Sequence, residues 1–173
     1  GLEQTGYSPM FVDGQWSKEK ESEAIRTVVG RRLYGVLLIG GELSCKEIIE
    51  LCEGLPAIVV ARRLNDQILP DIHVDNVEGG YLATKHLIDN GHREIVFIKG
   101  LENHQDALDR LAGYKKALSE ANIPFKKELV LNGDFTAETA AESLEELIKS
   151  GRKFTAVFAA NDISAYGARL VLY

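Results

Sequence analysis

The chain has 173 residues, of which 45% are hydrophobic and 27% charged, and its formal net charge at pH 7 is -6. This composition is typical of a globular protein and excludes a disordered or fibrous chain. An acidic surface repels phosphate backbones, so we do not expect this segment itself to bind nucleic acid. We find no signal peptide and no apolar run near the roughly 20 residues of a membrane span, and we therefore predict a cytoplasmic protein that does not enter the membrane.

Short apolar runs alternate with longer amphipathic runs along the whole chain. Most of the short runs are apolar on consecutive residues, which is typical of strands buried on both faces in a parallel sheet. The pattern predicts an α/β fold, doubly wound, with right-handed crossovers. The predicted strands cover residues 10–12, 36–39, 57–60, 72–74, 95–98, 129–131 and 156–159.

Several helices carry recognisable ends. Ser17 is placed to cap the first helix, Ser44 and Glu47 have the spacing of a capping box, and Gly54 ends the second helix. Another helix follows Thr136. These signals locate helices between the predicted strands, as parallel pairing requires.

The two cysteines, Cys45 and Cys52, are predicted to lie in one helix. A separation of seven residues places them about 10 Å apart by helical rise, too far for a disulfide. We therefore expect two reduced thiols in or near the core, with no metal or redox role.

A polar stretch at residues 62–71 separates two predicted strands without an intervening helix. Such a stretch suits a crossing between two lobes, and we place a boundary near residue 74. Residues 1–7 have the pattern of the last turn of a helix, and the chain closes in mid-helix at 170–173. We therefore expect a fold truncated at both ends.

No motif in the chain indicates a reaction. Phosphate-binding loops, nucleophile elbows and zinc-ligand spacings are missing from the sequence, so we predict no enzyme activity, no cofactor and no metal site. The pair Gly79-Gly80 is predicted near a helix start. It has two interpretations, a phosphate site at that terminus or close packing of the helix on its neighbour.

Polar residues follow the carboxyl ends of several predicted strands, where ligands bind in open parallel sheets. Asp106 and Arg110 enter the helix after the strand at 95–98, Phe135 follows the strand at 129–131, and Asn161-Asp162 follows the strand at 156–159. An arginine, an amide and an aromatic ring together suit a small polyhydroxylated or heteroaromatic ligand.

Each of these residues also has a purely structural interpretation. Arg110 could belong to a structural ion pair, Asn161 or Asp162 could simply cap the last helix, and Phe135 could be a core residue. The residue pattern by itself leaves these alternatives open.

Four motifs, in this order and at this spacing, resemble the lactose-repressor/galactose-repressor (LacI/GalR) family of bacterial transcription regulators. The resemblance extends over essentially the whole chain. The motifs are Asp75 with Gly79-Gly80, His86-Leu87-Ile88 and Gly91-His92-Arg93; Arg110-Leu111-Ala112-Gly113-Tyr114; Gly133-Asp134-Phe135; and the segment 154–168 with Asn161-Asp162.

The resemblance implies a fold like that of type I periplasmic binding proteins, with two doubly wound parallel-sheet lobes around a small molecule. Residues 1–74 would be part of the N-terminal lobe, and residues 75–173 would be most of the C-terminal lobe. The family's DNA-binding helix-turn-helix, hinge helix, first strand and later aspartate-bearing strand have no counterpart in these residues.

The resemblance also implies binding roles for particular residues. Arg110 would hydrogen-bond the effector, Asn161 would contact its hydroxyls, and Phe135 would pack against it. His104 and Asp106 would add polar contacts. The run Asp-Ala-Leu-Asp-Arg at 106–110 looks most like the galactose-repressor branch and favours a sugar over a purine.

In such a regulator, effector binding would reorient the lobes of a homodimer and change how the missing helix-turn-helix fits operator DNA.

The sequence departs from the family at Ala61-Arg62, where many members have an aspartate before the arginine. A periplasmic sugar-binding protein of a transport system is the first alternative. An α/β enzyme that acts on a nucleotide or a sugar is the second.

Overall fold

The structure is a computed structural model that describes residues 4–15, 17–31, 33–64, 66 and 68–173. The chain divides into two compact units, Gly1–Val74 and Asp75–Tyr173. Each unit contains a parallel sheet, so the predicted α/β architecture is confirmed. The polar connection at 62–71 is not helical where it is described; Asn65 and Gln67 within it lie outside the described residues.

The first unit contains helices on a short parallel sheet of strand order β1-β2-β3. Ser17 caps the first helix by accepting from the backbone N–H of Lys20, and Ser44 and Glu47 form the predicted capping box of the second. The elements are α1 (Lys18–Val29), β1 (Val36–Ile39), α2 (Cys45–Cys52), β2 (Ala57–Val60) and β3 (Asp71–Ile72).

The core of the first unit packs α1 and α2 against β2. Ile25, Ile48 and Val59 are almost completely buried. Cys45 and Cys52 are free, buried thiols in this core, as the sequence predicts, and burial raises the pKa of each. Both thiols therefore remain protonated and act as small apolar side chains.

The second unit contains a sheet of strand order β5-β4-β6, in which both pairings are parallel. Its elements are α3 (Asn76–Asp89), β4 (Ile95–Ile98), α4 (Gln105–Glu120), a short 3-10 turn (Lys127–Leu129), β5 (Val130–Leu131), α5 (Ala137–Lys149), β6 (Ala156–Ala159) and α6 (Asp162–Leu172).

The central strand β4 is buried on both faces. Ile95 and Phe97 belong to one hydrophobic cluster, with Tyr114 and Leu118 of α4 and Ile88 of α3. The alternate residues of β4 belong to a second cluster, with residues of α5 and α6. Because successive residues of a strand point to opposite faces, helices cover the sheet on both sides, which is the doubly wound arrangement.

Three predicted strands differ from the structure. Residues 10–12 are exposed and form no strand, because no strand among the described residues hydrogen-bonds to them. The strand predicted at 72–74 is Asp71–Ile72, which pairs with the end of β2. Leu129 lies in the 3-10 turn rather than in β5.

None of the described helices is long and apolar enough to cross a membrane.

Candidate ligand-binding site

The carboxyl ends of β4, β5 and β6 lie at the same edge of the second unit's sheet, because all three strands are parallel. The loops that leave this edge run from Lys99 to His104, from Asn132 to Thr136 and through Ala160 to Asn161. The edge is where open parallel sheets bind ligands. All five site residues predicted from the sequence lie on these loops or in the first two turns of the helices that follow.

Arg110 lies in the second turn of α4, and its guanidinium is fixed by several groups. Its Nε donates to Oδ1 of Asn76 at 2.9 Å, and its Nη1 donates to the carbonyl oxygen of Ala160 at 2.5 Å. Its Nη2 lies 3.8 Å from Oδ2 of Asp106, an ion pair rather than a close hydrogen bond. Nη2 is therefore the part of the guanidinium with the weakest bond to the protein.

Asn161 caps α6 and also binds the preceding loop. Its Oδ1 accepts from the backbone N–H of Ser164 at 2.9 Å, and its Nδ2 donates to the carbonyl oxygen of Phe135 at 3.1 Å. An amide nitrogen carries two hydrogens, so one donor is left for a ligand. The structural interpretation of Asn161 as a cap is thus correct, and it is compatible with ligand contact.

Phe135 holds its position through an unusual backbone and a close contact. Asp134 and Phe135 have φ values of 48° and 60°, in the left-handed region that non-glycine residues seldom adopt. The ring lies against Gly100, where an added Cβ would overlap it. His104, the residue that precedes α4, contacts the same ring edge-on at 5.3 Å between centroids.

A cleft of about 390 Å³ opens beside these residues. Arg110 and Asn161 line it together with Asp162. Asp106 does not line the cleft but pairs with Arg110, which does. Phe135 is likewise connected to the cleft through its carbonyl oxygen, which accepts from Asn161. The fold therefore brings the five predicted residues into one continuous series of contacts.

A second cleft, of about 430 Å³, lies along the outer edge of β6. It is lined mainly by apolar side chains, among them Phe154, Val157 and Leu172, and by none of the predicted site residues. Because a small polar ligand needs convergent hydrogen-bonding groups, the first cleft is the candidate ligand site.

The pair Gly79-Gly80 occupies the fourth and fifth positions of α3, near the helix start as the sequence predicts. The N–H of Gly79 donates to the carbonyl of Asp75 at 2.9 Å and is not free for a phosphate. Gly80 packs directly on the backbone of Arg110, whereas Gly79 has open space around it. Of the two interpretations, close packing therefore describes Gly80.

Sequence reasoning missed Asn76, which is 7% exposed and bonds to Arg110. A polar residue in the first turn of a helix is ordinarily exposed, and nothing in its sequence position shows that it is buried and bonded to Arg110. Ala160 was missed for another reason: it acts through its backbone carbonyl, which any residue would supply.

Among the described residues, no group of three or more His, Cys, Asp or Glu side chains is arranged to hold a metal ion.

Comparisons with known proteins agree on one family. The chain matches, over residues 1–173, the family model described as periplasmic binding proteins and sugar binding domain of LacI family. It is 33% identical over 173 residues to the HTH-type transcriptional regulator AscG of Escherichia coli (strain K12), covering 99% of this chain and 52% of that protein. It is 34% identical over 167 residues to the HTH-type transcriptional repressor PurR of Actinobacillus pleuropneumoniae serotype 5b (strain L20), covering 95% of this chain and 49% of that protein.

Among solved structures, the chain is similar to a sugar-binding transcriptional regulator (LacI family) from Escherichia coli, complexed with phosphate. The TM-score is 0.86 and the identity 33%, and the match covers 98% of this chain and 62% of that one. The chain spans about half the length of the curated relatives it matches. With a family model matched over its whole length and a fold shared with solved members, this chain belongs to the periplasmic-binding-protein-like domains of the LacI family.

Proposed function

We propose that this chain is the effector-binding core of a LacI/GalR-type transcription regulator, and that its effector is a neutral sugar. Residues 1–74 would be part of the N-terminal lobe and residues 75–173 most of the C-terminal lobe. The relatives named above are transcriptional regulators, which favours this function over a periplasmic sugar-binding protein or an enzyme.

The observation that carries the proposal is the pairing of Arg110 with Asp106 beside the cleft. Nη2 of Arg110 is a donor, and the carboxylate of Asp106, 3.8 Å away, is an acceptor. A sugar hydroxyl can accept a hydrogen bond from Nη2 of Arg110 and donate one to the carboxylate of Asp106. Two neighbouring hydroxyls of one sugar can also bind these two groups separately. Asn161 adds another donor in the same cleft.

The charge of this pair argues against an anionic effector. The negative charge of Asp106 offsets the positive charge of Arg110, so a phosphorylated ligand would gain little from the arginine and would be repelled by the carboxylate. Neutral hydroxyls meet no such repulsion. One E. coli relative of known structure is described as a sugar-binding regulator, which supports a sugar as the ligand class.

The regulator would act in the cytoplasm as a homodimer and would bind operator DNA through a helix-turn-helix outside this chain. An effector can change DNA affinity only through its different affinities for two conformations, a coupling of typically 1–3 kcal/mol. The acidic net charge of -6 agrees with DNA contact through another part of the protein.

A thermal-shift and calorimetric screen of the full-length protein tests the proposal. The screen compares neutral sugars, sugar phosphates and purine bases, since a ligand that binds the folded state raises Tm. We expect a neutral sugar to bind and Arg110→Ala to weaken it by roughly tenfold to a hundredfold, because a hydrogen bond to a charged group is lost.

Arg152→Ala is the matched control. Arg152 forms an exposed ion pair with Glu128, 2.9 Å long, and lines neither cleft, so its loss should leave ligand affinity unchanged. Binding of purine bases alone, or of sugar phosphates alone, would contradict a neutral sugar effector. Operator binding that no tested ligand alters would contradict the regulatory role of the site.

A further inference from the structure

The guanidinium of Arg110 is oriented chiefly by residues outside its own helix. Its Nε donates to Asn76 in the first turn of α3, and its Nη1 donates to Ala160 after β6. The group from its own helix, Asp106, is the more distant partner at 3.8 Å. A long, flexible arginine side chain is therefore held at both edges by neighbouring elements.

Asn76 is itself held firmly. It is 7% exposed, and it is the first residue of α3, directly after Asp75, which caps the helix by accepting from the N–H of Glu78 at 2.9 Å. Gly80 and Gly113 bring α3 and α4 so close that an added Cβ on either would overlap the opposite backbone. The backbone packing thus fixes the distance between Asn76 and Arg110.

We propose that Asn76 is a positioning residue for the ligand site, which fixes the side-chain conformation of Arg110 and directs Nη2 at the ligand. The proposal rests on the proposed function, in which Arg110 binds the effector. Asn76 would touch Arg110 and not the ligand. It does not line the cleft, whereas Arg110 does.

The chemistry of an amide suits this task better than that of a carboxylate. The carbonyl oxygen of Asn76 accepts the Nε hydrogen without adding negative charge next to the guanidinium. Asp106 remains the single carboxylate within 4 Å of Arg110 among the described residues. The ligand therefore meets an arginine whose orientation is fixed while Nη2 stays available.

The first measurement follows the Nε–H signal of Arg110 in NMR spectra of the full-length protein labelled with 15N-arginine. Loss of one signal in Arg110→Lys identifies it. We expect slow exchange of this hydrogen with water in the wild type and at least roughly tenfold faster exchange in Asn76→Ala, because the acceptor is gone. In Asn76→Asp the stronger, charge-assisted bond should restore protection and move the proton signal downfield.

Asn90→Ala is the matched control, because Asn90 lies at the other end of α3 and bonds locally, to His86. It should leave the Arg110 signal unchanged. An unmoved Arg110 signal in Asn76→Ala overturns the proposal, as does an equal change in Asn90→Ala. If Asn76→Ala does not fold, an unshifted signal in Asn76→Asp overturns it by itself.

Binding of neutral sugars, including D-galactose, D-glucose and cellobiose, supplies the functional readout. For a sugar that binds the wild type, Asn76→Ala should weaken affinity by about tenfold, Asn76→Asp should recover most of it, and Asn90→Ala should not change it. Equal affinity of Asn76→Ala and wild type overturns the positioning role. If no sugar binds although Arg110 loses its Nε–H protection in Asn76→Ala, the proposed ligand fails and the positioning of Arg110 stands.

Discussion

Gly80 of α3 lies against the backbone of Arg110 in α4, so close that a Cβ at position 80 would overlap the Arg110 carbonyl oxygen. Gly113, one turn further along α4, meets the backbone of α3 in the same way. The two helices therefore approach each other through glycine backbones. This contact places the arginine of the candidate site relative to Asn76 and to the start of α3.

Gly80→Ala should destabilise the protein by about 3 kcal/mol, because rigid backbone on the facing helix cannot move aside for the methyl group. Neighbouring Gly79 is exposed, and a Cβ added there would have no atoms within 4 Å, so it offers a direct control. Gly79→Ala should stabilise by roughly 0.5–1 kcal/mol, as expected for alanine in place of glycine within a helix. Urea denaturation measures both, and equal effects would contradict the close packing of Gly80 on the backbone of α4.

Glu21 and Arg62 form a largely buried ion pair in the first unit, with 3.3 Å between Glu21 Oε1 and Arg62 Nη2. The same carboxylate accepts from the backbone N–H groups of Glu42 and Leu43, at 2.6 and 3.0 Å. Glu21 thus ties α1 to the segment after β1 and to the segment after β2. Among the described residues, Glu21 is the only charged residue that is buried.

Glu21→Ala should cost about 3–5 kcal/mol of unfolding free energy, since it leaves Arg62 buried without its carboxylate. Glu23→Ala, on the same helix, removes an exposed ion pair with Lys20 and should cost less than about 1 kcal/mol. Chemical denaturation of the two variants gives the comparison. A similar small loss of unfolding free energy in both variants would show that the contacts of Glu21 with Arg62, Glu42 and Leu43 contribute little to stability.

The buried Tyr114 hydroxyl donates to the carbonyl of Ile95 at 2.9 Å, and burial, with a smaller effect of Glu94, raises the pKa of Tyr114 to about 12. Unfolded tyrosine ionises near pH 10. Protonated Tyr114 therefore contributes its full share to the free energy of unfolding below about pH 10. As pH rises towards 12, the protein loses roughly 2 kcal/mol of that free energy.

Tyr114→Phe tests this pH dependence. It should lower stability by roughly 1 kcal/mol at pH 8, where the hydrogen bond is lost, and should remove the extra alkaline decline. Tyr166→Phe, at an exposed position of α6, should keep the wild-type decline. Urea unfolding between pH 8 and pH 11.5 measures the difference, and parallel curves for wild type and Tyr114→Phe would refute it.

The last prediction concerns the charge of Asp106. We expect Asp106→Asn to lower the affinity for neutral sugars severalfold, because the amide is a weaker acceptor than the carboxylate. The same change should raise the affinity for sugar phosphates by about tenfold, because the repulsion between carboxylate and phosphate disappears. Asp109→Asn, three residues later in α4, is the control, since Asp109 accepts from Gln105 instead. Calorimetric titration with neutral sugars and with sugar phosphates measures both affinities. An unchanged ratio of the two affinities in Asp106→Asn would show that Asp106 does not contact the ligand.

Much of the fold followed from local patterns. The consecutive apolar residues of β1, β2, β4 and β6 predicted strands with the observed bounds, because a strand buried on both faces leaves no place for polar side chains. The predicted caps at Ser17 and Ser44 were equally local, since each side chain binds a backbone N–H within three residues. Residues 10–12 failed as a strand because a strand needs a hydrogen-bonding neighbour as well as apolar residues.

The sequence by itself determined the α/β class, the unpaired state of its cysteines and the strand ends where polar residues collect, because periodicity, capping and composition act over a few residues. Only the tertiary structure decided that Asn76 is buried and bonds to Arg110, that Gly80 rather than Gly79 makes the helix contact, and that Asn161 binds the loop of Phe135. These relationships join residues 26 to 34 positions apart in the chain. Contacts at that separation depend on how helices and loops pack, which no local pattern contains.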